Sequence, residues 1–150
     1  MREAIRLAAE KMRQGHGGPF GAVIVLDGLI IASGYNQVTS TNDPTAHAEI
    51  TAIRQACKTI NDFRLTGCEM FINCEPCPMC LAAIYWAGIE KIYFAADRHD
   101  AAAIGFADEF IYQEISREPT KRKIKMTQLM RQEALAAFKE WQDMPNKIVY

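Results

Sequence analysis

Apolar positions recur along this chain with two different periods. Residues 2–14 bring Ile5, Ala8, Ala9 and Met12 onto one helical face. Lys11 and Arg13 fall in the last turn, where cations suit the helix dipole, and Gly15, Gly17 and Gly18 stop the helix. The run Phe20-Gly21-Ala22-Val23-Ile24-Val25-Leu26 is β-rich and almost wholly apolar. Asp27-Gly28 separates it from Leu29-Ile30-Ile31-Ala32, a strong signal for a two-residue hairpin. Strands this apolar are expected to be covered on both faces.

Residues 36–42 form a polar connection, and helix formers run from after Asp43-Pro44 to about Lys58. Residues 68–74 read as a third strand, 78–87 as a helix closed by Gly88, and 91–96 as a fourth strand. A short helix is expected near residues 100–104. After Phe110 the pattern loosens, and residues 118–123 read as a solvated linker. Residues 123–128 are expected to form a fifth, edge strand. Met130, Ala134, Ala137, Phe138 and Trp141 then form a stripe at helical spacing that Pro145 ends, leaving a tail with an apolar tip at residues 148–150. No repeat or low-complexity segment interrupts this order. It predicts one α/β domain over 1–150, a mixed sheet with helices on both faces.

Composition changes this picture little. A chain of 150 residues, 49% hydrophobic and 23% charged, suits a single globular domain. A net charge of −1 argues against a nucleic-acid partner, because phosphate binding relies on Lys and Arg. No apolar run approaches a membrane span, and the start Met1-Arg2-Glu3-Ala4-Ile5-Arg6 is amphipathic, not a signal peptide. Three of the five cysteines, Cys74, Cys77 and Cys80, crowd into seven residues, which fits metal binding in a reducing cytoplasm better than a disulfide framework.

The chemistry concentrates in Pro44-Thr45-Ala46-His47-Ala48-Glu49 and Cys74-Glu75-Pro76-Cys77-Pro78-Met79-Cys80. Cys77 and Cys80 are three apart and share a helix face. Pro78 suits the first helical position, which puts Cys77 at a helix N-terminus, where the dipole favours its thiolate. His47 and Glu49 are two apart and would diverge by about 200° inside a helix, so the pair makes sense only at a helix start. His47, Cys77 and Cys80 would leave a tetrahedral zinc one open position for water, with Glu49 as an unligated proton carrier. The competing reading is a structural site in which Cys74 is a fourth ligand; against it, such sites pair Cys-x-x-Cys with a second close ligand pair and have no use for Glu49.

His-x-Glu followed by Pro-Cys-x-x-Cys is the signature of zinc deaminases that act on bases. The two motifs, together with Gly17-Gly18-Pro19-Phe20-Gly21-Ala22-Val23-Ile24-Val25 and Gly105-Phe106-Ala107-Asp108-Glu109-Phe110-Ile111-Tyr112, resemble the bacterial guanine deaminases of the cytidine-deaminase-like fold. The resemblance implies a three-layer α/β/α domain with a five-stranded mixed sheet and one zinc per subunit. It implies hydrolysis at C2 of guanine, giving xanthine and ammonia. It also implies a domain-swapped homodimer, in which residues 130–150 pack on the partner subunit. By the same resemblance Glu49 moves the first proton and Asp108 is a second acid near the leaving amino group; otherwise Asp108 is a loop acid capping a local N–H. Asn36 matches the purine-recognising amide, Ala48 also falls in the binding segment, and Phe20 and Trp86 match apolar walls, with core packing as their rival role. Tyr150 matches the closing residue. Deaminases of the nucleoside guanosine would share these motifs. Editors of transfer RNA share Pro-Thr-Ala-His-Ala-Glu but need a basic surface, whereas residues 97–101 are mixed in charge. A zinc-stabilised module without catalysis is the remaining alternative.

Overall fold

The Asp27-Gly28 turn forms as its residues require. In the computed structural model, which describes residues 1–149, Asp27 (φ 50°) and Gly28 (φ 79°) are both left-handed, as a type I′ turn demands. The turn joins β1 (Gly21–Leu26) to β2 (Leu29–Tyr35), with Leu26 opposite Leu29 and Gly21 opposite Tyr35. β1 pairs antiparallel with β3 (Glu69–Cys74), and β3 pairs parallel with β4 (Lys91–Ala96). The sheet order is β2-β1-β3-β4.

The helices are α1 (Arg2–Arg13), α2 (Val38–Thr41), α3 (Ala48–Ile60), α4 (Pro78–Trp86), α5 (Arg98–Ala103), α6 (Glu109–Ser116) and α7 (Arg131–Asp143), with a 3₁₀ turn at Pro119–Lys121. No helix of the described residues is long and apolar enough to cross a membrane. The chain divides into two compact units, Met1–Phe110 and a second that begins at Ile111.

Two glycines show how the first unit is layered. Ala22 lies opposite Gly34 and Ile72, and Ile24 lies opposite Ala32 and Met70, so these residues share one sheet face. A Cβ at Gly34 would stand 2.2 Å from the Ala48 carbonyl oxygen and 2.6 Å from the Ala52 nitrogen, so α3 rests on this face. Ala48, Ala52 and Ala56 of α3 and Ile84 of α4 complete the core there. Gly21 faces the other way. Its Cβ would stand 2.3 Å from the Ala4 carbonyl oxygen and 2.9 Å from the Ala8 nitrogen, so α1 covers the opposite face. The expected α/β/α layering therefore holds. The face that α1 buries is not its most apolar one: Ala4, Leu7 and Ala8 are buried, while Ile5 and Met12 are exposed. Close approach at Gly21 selects the small residues Ala4 and Ala8, one turn apart.

Gly34 also sets the height of α3, whose first turn carries Glu49. Gly34→Ala is expected to lower unfolding free energy by about 1–3 kcal/mol, the cost of overpacking a filled core. Urea denaturation measures this, and an unchanged midpoint would contradict the close approach.

The fifth strand does not form, and the sheet has four strands among the described residues. Residues 122–130 have no regular structure. Ile124 and Met126 alternate with the right period, but both are exposed, and Lys121, Arg122, Lys123 and Lys125 surround them. A strand needs a neighbouring edge to complete its ladder, and a short cationic alternation buries too little to secure one. Within the second unit Arg122 instead closes the end of α6, donating from Nε to the Glu114 and Arg117 carbonyls at 3.1 Å each and from a terminal nitrogen to that of Ile115 at 2.9 Å. Other departures are local. Residues 38–41, expected in a polar connection, form α2, and Leu29 and Ile30 at the hairpin tip are exposed.

Candidate active site

The site gathers where β3 and β4 end and β1 begins, the carboxyl end of the parallel pair, where α/β folds place their ligands. His47 and Cys77 hold equivalent posts there. Each is the residue before a helix, α3 and α4 respectively, with extended backbone (φ −70°, ψ 159° and φ −66°, ψ 166°). Pro78 occupies the first turn of α4 as its fixed φ favours. Upstream of His47, the Asp43 carboxylate accepts from the Thr45 N–H at 2.8 Å and hydroxyl at 2.7 Å, which shapes the approach to α3.

His47 Nδ1 lies 3.5 Å from both Cys77 Sγ and Cys80 Sγ. The three donor atoms lie within 4.8 Å of one another, and Glu49 and Cys74 stand outside the group. Cys80's thiol and then His47 hydrogen-bond to Cys77 and bring its thiol down to about 4, while the shared proton and burial push Cys80 up. Two converging sulfurs and an imidazole are a soft donor set. It fits a zinc ion held by three protein ligands with a fourth position open. Cys74 has a different character. Burial first, then the Glu49 charge, pushes its thiol up to about 11, and its Sγ donates to the Asp97 carbonyl at 3.7 Å. It is a neutral thiol at a strand end.

Glu49 is the second residue of α3 and is 8% exposed. Burial is the main cause that raises its carboxyl above the usual range. Asp108, half-buried on the loop after α5, is raised by burial and then by the Cys77 charge. Both acids line one cavity of about 420 Å³ together with His47 and Cys77.

Phe20, Asn36 and Ala48 also line this cavity. The Asn36 side-chain oxygen accepts from the backbone N–H groups of Gly18 (3.3 Å) and Val38 (3.2 Å). With that oxygen committed, the amide NH₂ is the end left to donate to a ligand. Trp86 is not brought to the site: it is 71% exposed near the end of α4 and does not line the cavity. It lies six residues beyond Cys80, off the face that carries the ligand. Tyr150 lies outside the described residues.

Three cavity residues went unread in the sequence. Asn73 continues the β1–β3 ladder with its side chain, accepting from the Gly21 N–H at 2.8 Å and donating to the Pro19 carbonyl at 2.9 Å. It thereby fixes the segment that carries Phe20; an Asn near the end of an apolar strand was the available signal. Phe106 meets Phe20 edge-on, ring centroids 4.9 Å apart. Arg98 pairs with Glu75 inside the ligand loop.

Residues 1–96 match the model of the cytidine and deoxycytidylate deaminase zinc-binding region. The chain is 51% identical over 150 residues to the guanine deaminase of Bacillus subtilis, covering 100% of this chain and 96% of that one. The X-ray structure of guanine deaminase from Bacillus subtilis superposes with a TM-score of 0.96, covering 99% of this chain and 95% of that chain. A tRNA-specific adenosine deaminase of Agrobacterium fabrum is 43% identical over 95 residues, 63% of this chain and 62% of its own length.

Proposed function

This chain belongs to the cytidine and deoxycytidylate deaminase zinc-binding family, and from that premise we propose that it hydrolyses guanine at C2 to xanthine and ammonia. The observation that carries the choice of base is the reach of the likeness. The match to a guanine deaminase, 51% identical, spans all 150 residues and so takes in the loop that bears Asp108, whereas the match to the tRNA deaminase spans 95.

His47, Cys77 and Cys80 would hold the zinc. When bound, it supplies Lewis acidity that brings the pKa of water to about 7. Glu49 would take a proton from the attacking water and deliver it to a ring nitrogen while the water oxygen bonds to C2. Burial suits Glu49 to this, because it raises the carboxyl's affinity for the proton it must carry. The second water proton passes to the exocyclic nitrogen through Asp108, and the C2–N bond breaks with its electron pair leaving on ammonia. A second acid suits this step because ammonia leaves only from a protonated nitrogen. The Asn36 amide donates to an acceptor on the purine edge, and Phe20 and Ala48 line its apolar surroundings.

The enzyme works as a homodimer in which residues 130–150 exchange between subunits. Supporting this, Leu129, Met130, Phe138, Ile148 and Val149 are each at least 70% exposed in one chain, an apolar load that favours cover by a second copy. The five cysteines are free thiols, which suits a cytoplasmic enzyme.

The test is ammonia release from guanine, guanosine, cytidine and an adenosine-containing RNA hairpin. Guanine is the expected substrate. Release from guanosine without release from the free base would reassign the enzyme to nucleosides.

A further inference from the structure

Asp108 sits on a loop, and a proton donor must be held within a fraction of an ångström to act. We infer that Arg98 is the positioning residue that clamps the Asp108 loop to the metal-ligand loop; the inference rests on the reading of Asp108 as the second acid. Arg98 is the first residue of α5. It donates to Glu75 three times: backbone N–H to Oε2 at 3.1 Å, Nε to Oε1 at 3.1 Å and a terminal nitrogen to Oε1 at 2.5 Å. Its other terminal nitrogen donates to Glu109 Oε2 at 3.2 Å. Glu75 lies two residues before the ligand Cys77, and Glu109 follows Asp108 directly. One planar guanidinium therefore spans the two loops.

The loop has a second anchor. Phe106 meets the Phe20 ring at 88°, and a Cβ on Gly18 would stand 3.1 Å from the Phe106 ring. Gly105, at φ +95°, makes the turn into it. Asp108 thus lies between a packed aromatic at 106 and a paired carboxylate at 109. Of the two anchors, Arg98 alone also sets charge. Burial first, then the Cys77 charge, raises the Asp108 carboxyl, and Arg98 is among the groups that oppose the rise. The side chains of Arg98 and Glu75 are only 28% and 20% exposed, so solvent screens this pair incompletely. Lysine, a compact charge on a flexible stem without the planar fork, cannot span both carboxylates as arginine does.

Zinc-loaded Glu109→Gln, Arg98→Lys, Arg98→Gln and Asp108→Asn enzymes test the clamp by zinc content, kcat, KM for guanine and pH profile. Arg98→Lys is expected to keep its zinc and a KM within about threefold, while kcat falls about 10- to 100-fold, the scale of a misplaced catalytic group. Glu109→Gln, which alters only an exposed side chain, is expected to lower kcat about three- to tenfold. The limb of the pH profile that Asp108→Asn abolishes is expected to move to higher pH in Arg98→Gln and to stay in place in Arg98→Lys. If Arg98→Gln fails to fold, Glu109→Gln and Arg98→Lys decide. Parental kcat in both, beside an Asp108→Asn enzyme slowed about 100-fold but still measurable, overturns the clamp and leaves Asp108 as the acid. Parental turnover in Asp108→Asn overturns the acid itself, and the clamp with it.

Discussion

Zinc-loaded Glu49→Gln is expected to keep its metal and to lose turnover by a factor of about 10²–10⁴, the range that general acid–base catalysis supplies. Both halves of the result follow from where Glu49 sits. It stands outside the group of His47, Cys77 and Cys80, so a neutral amide in its place removes no ligand. It lines the same cavity as His47, Cys77 and Asp108, so the amide removes the proposed carrier between water and ring. The change should not unfold the protein. Burial raises the folded-state pKa of Glu49, so the native state binds its proton more tightly than the unfolded chain does. Its ionised form therefore lowers stability as pH rises through the unfolded value of about 4.3. The glutamine variant carries no such penalty, and metal-stripped Glu49→Gln should melt at or above the parental temperature at pH 7. Metal analysis, steady-state kinetics and thermal melting check the three parts. Turnover within tenfold of the parent would remove Glu49 from the chemistry.

The metal centre was legible because its geometry is local. Pro78 fixes the start of α4, Cys77 and Cys80 follow from helical spacing, and His47 with Glu49 make sense only at a helix start; the structure puts His47 immediately before α3. The strands were legible for a related reason: an Asp-Gly turn and apolar runs declare themselves within a few residues. What stayed hidden depends on approach from afar. The buried face of α1 is chosen by Gly21, a residue outside the helix, so hydrophobicity alone misassigned it. Residues 123–128 have a strand's period, yet period says nothing about whether an edge waits to pair with them. Trp86 entered through the family resemblance, and the six residues of helix after Cys80 carry it off the ligand face. Asn73 and Arg98 act through partners 52 and 23 positions away, and no spacing rule reaches that far.

Cys80→Ser is expected to lose zinc and, with it, all measurable guanine hydrolysis, whereas Cys74→Ser is expected to keep both. The two residues are chemically alike and six positions apart, so the contrast isolates geometry. Cys80 Sγ is 3.5 Å from His47 Nδ1 and belongs to the donor group; Cys74 Sγ turns to the Asp97 carbonyl and stays a neutral thiol. A hydroxyl is a poor substitute for a thiolate on zinc. Outer partners of metal ligands already change affinity by about 10- to 100-fold, so loss of a direct ligand should exceed that. At Cys74 a serine hydroxyl can make the same donation to Asp97, and the expected loss is about 1 kcal/mol of stability. Zinc per chain after dialysis against a mild chelator, with turnover measured on the same samples, checks both variants. The opposite pattern, zinc lost from Cys74→Ser and activity indifferent to Glu49, belongs to a four-ligand structural site. That site would need the Cys74 side chain to abandon Asp97 and turn toward His47, at the end of a strand whose pairing with β4 runs through Cys74 itself, opposite Ala96. The strand that holds Cys74 in register thus keeps its thiol out of the group formed by His47, Cys77 and Cys80, as a three-ligand site would require.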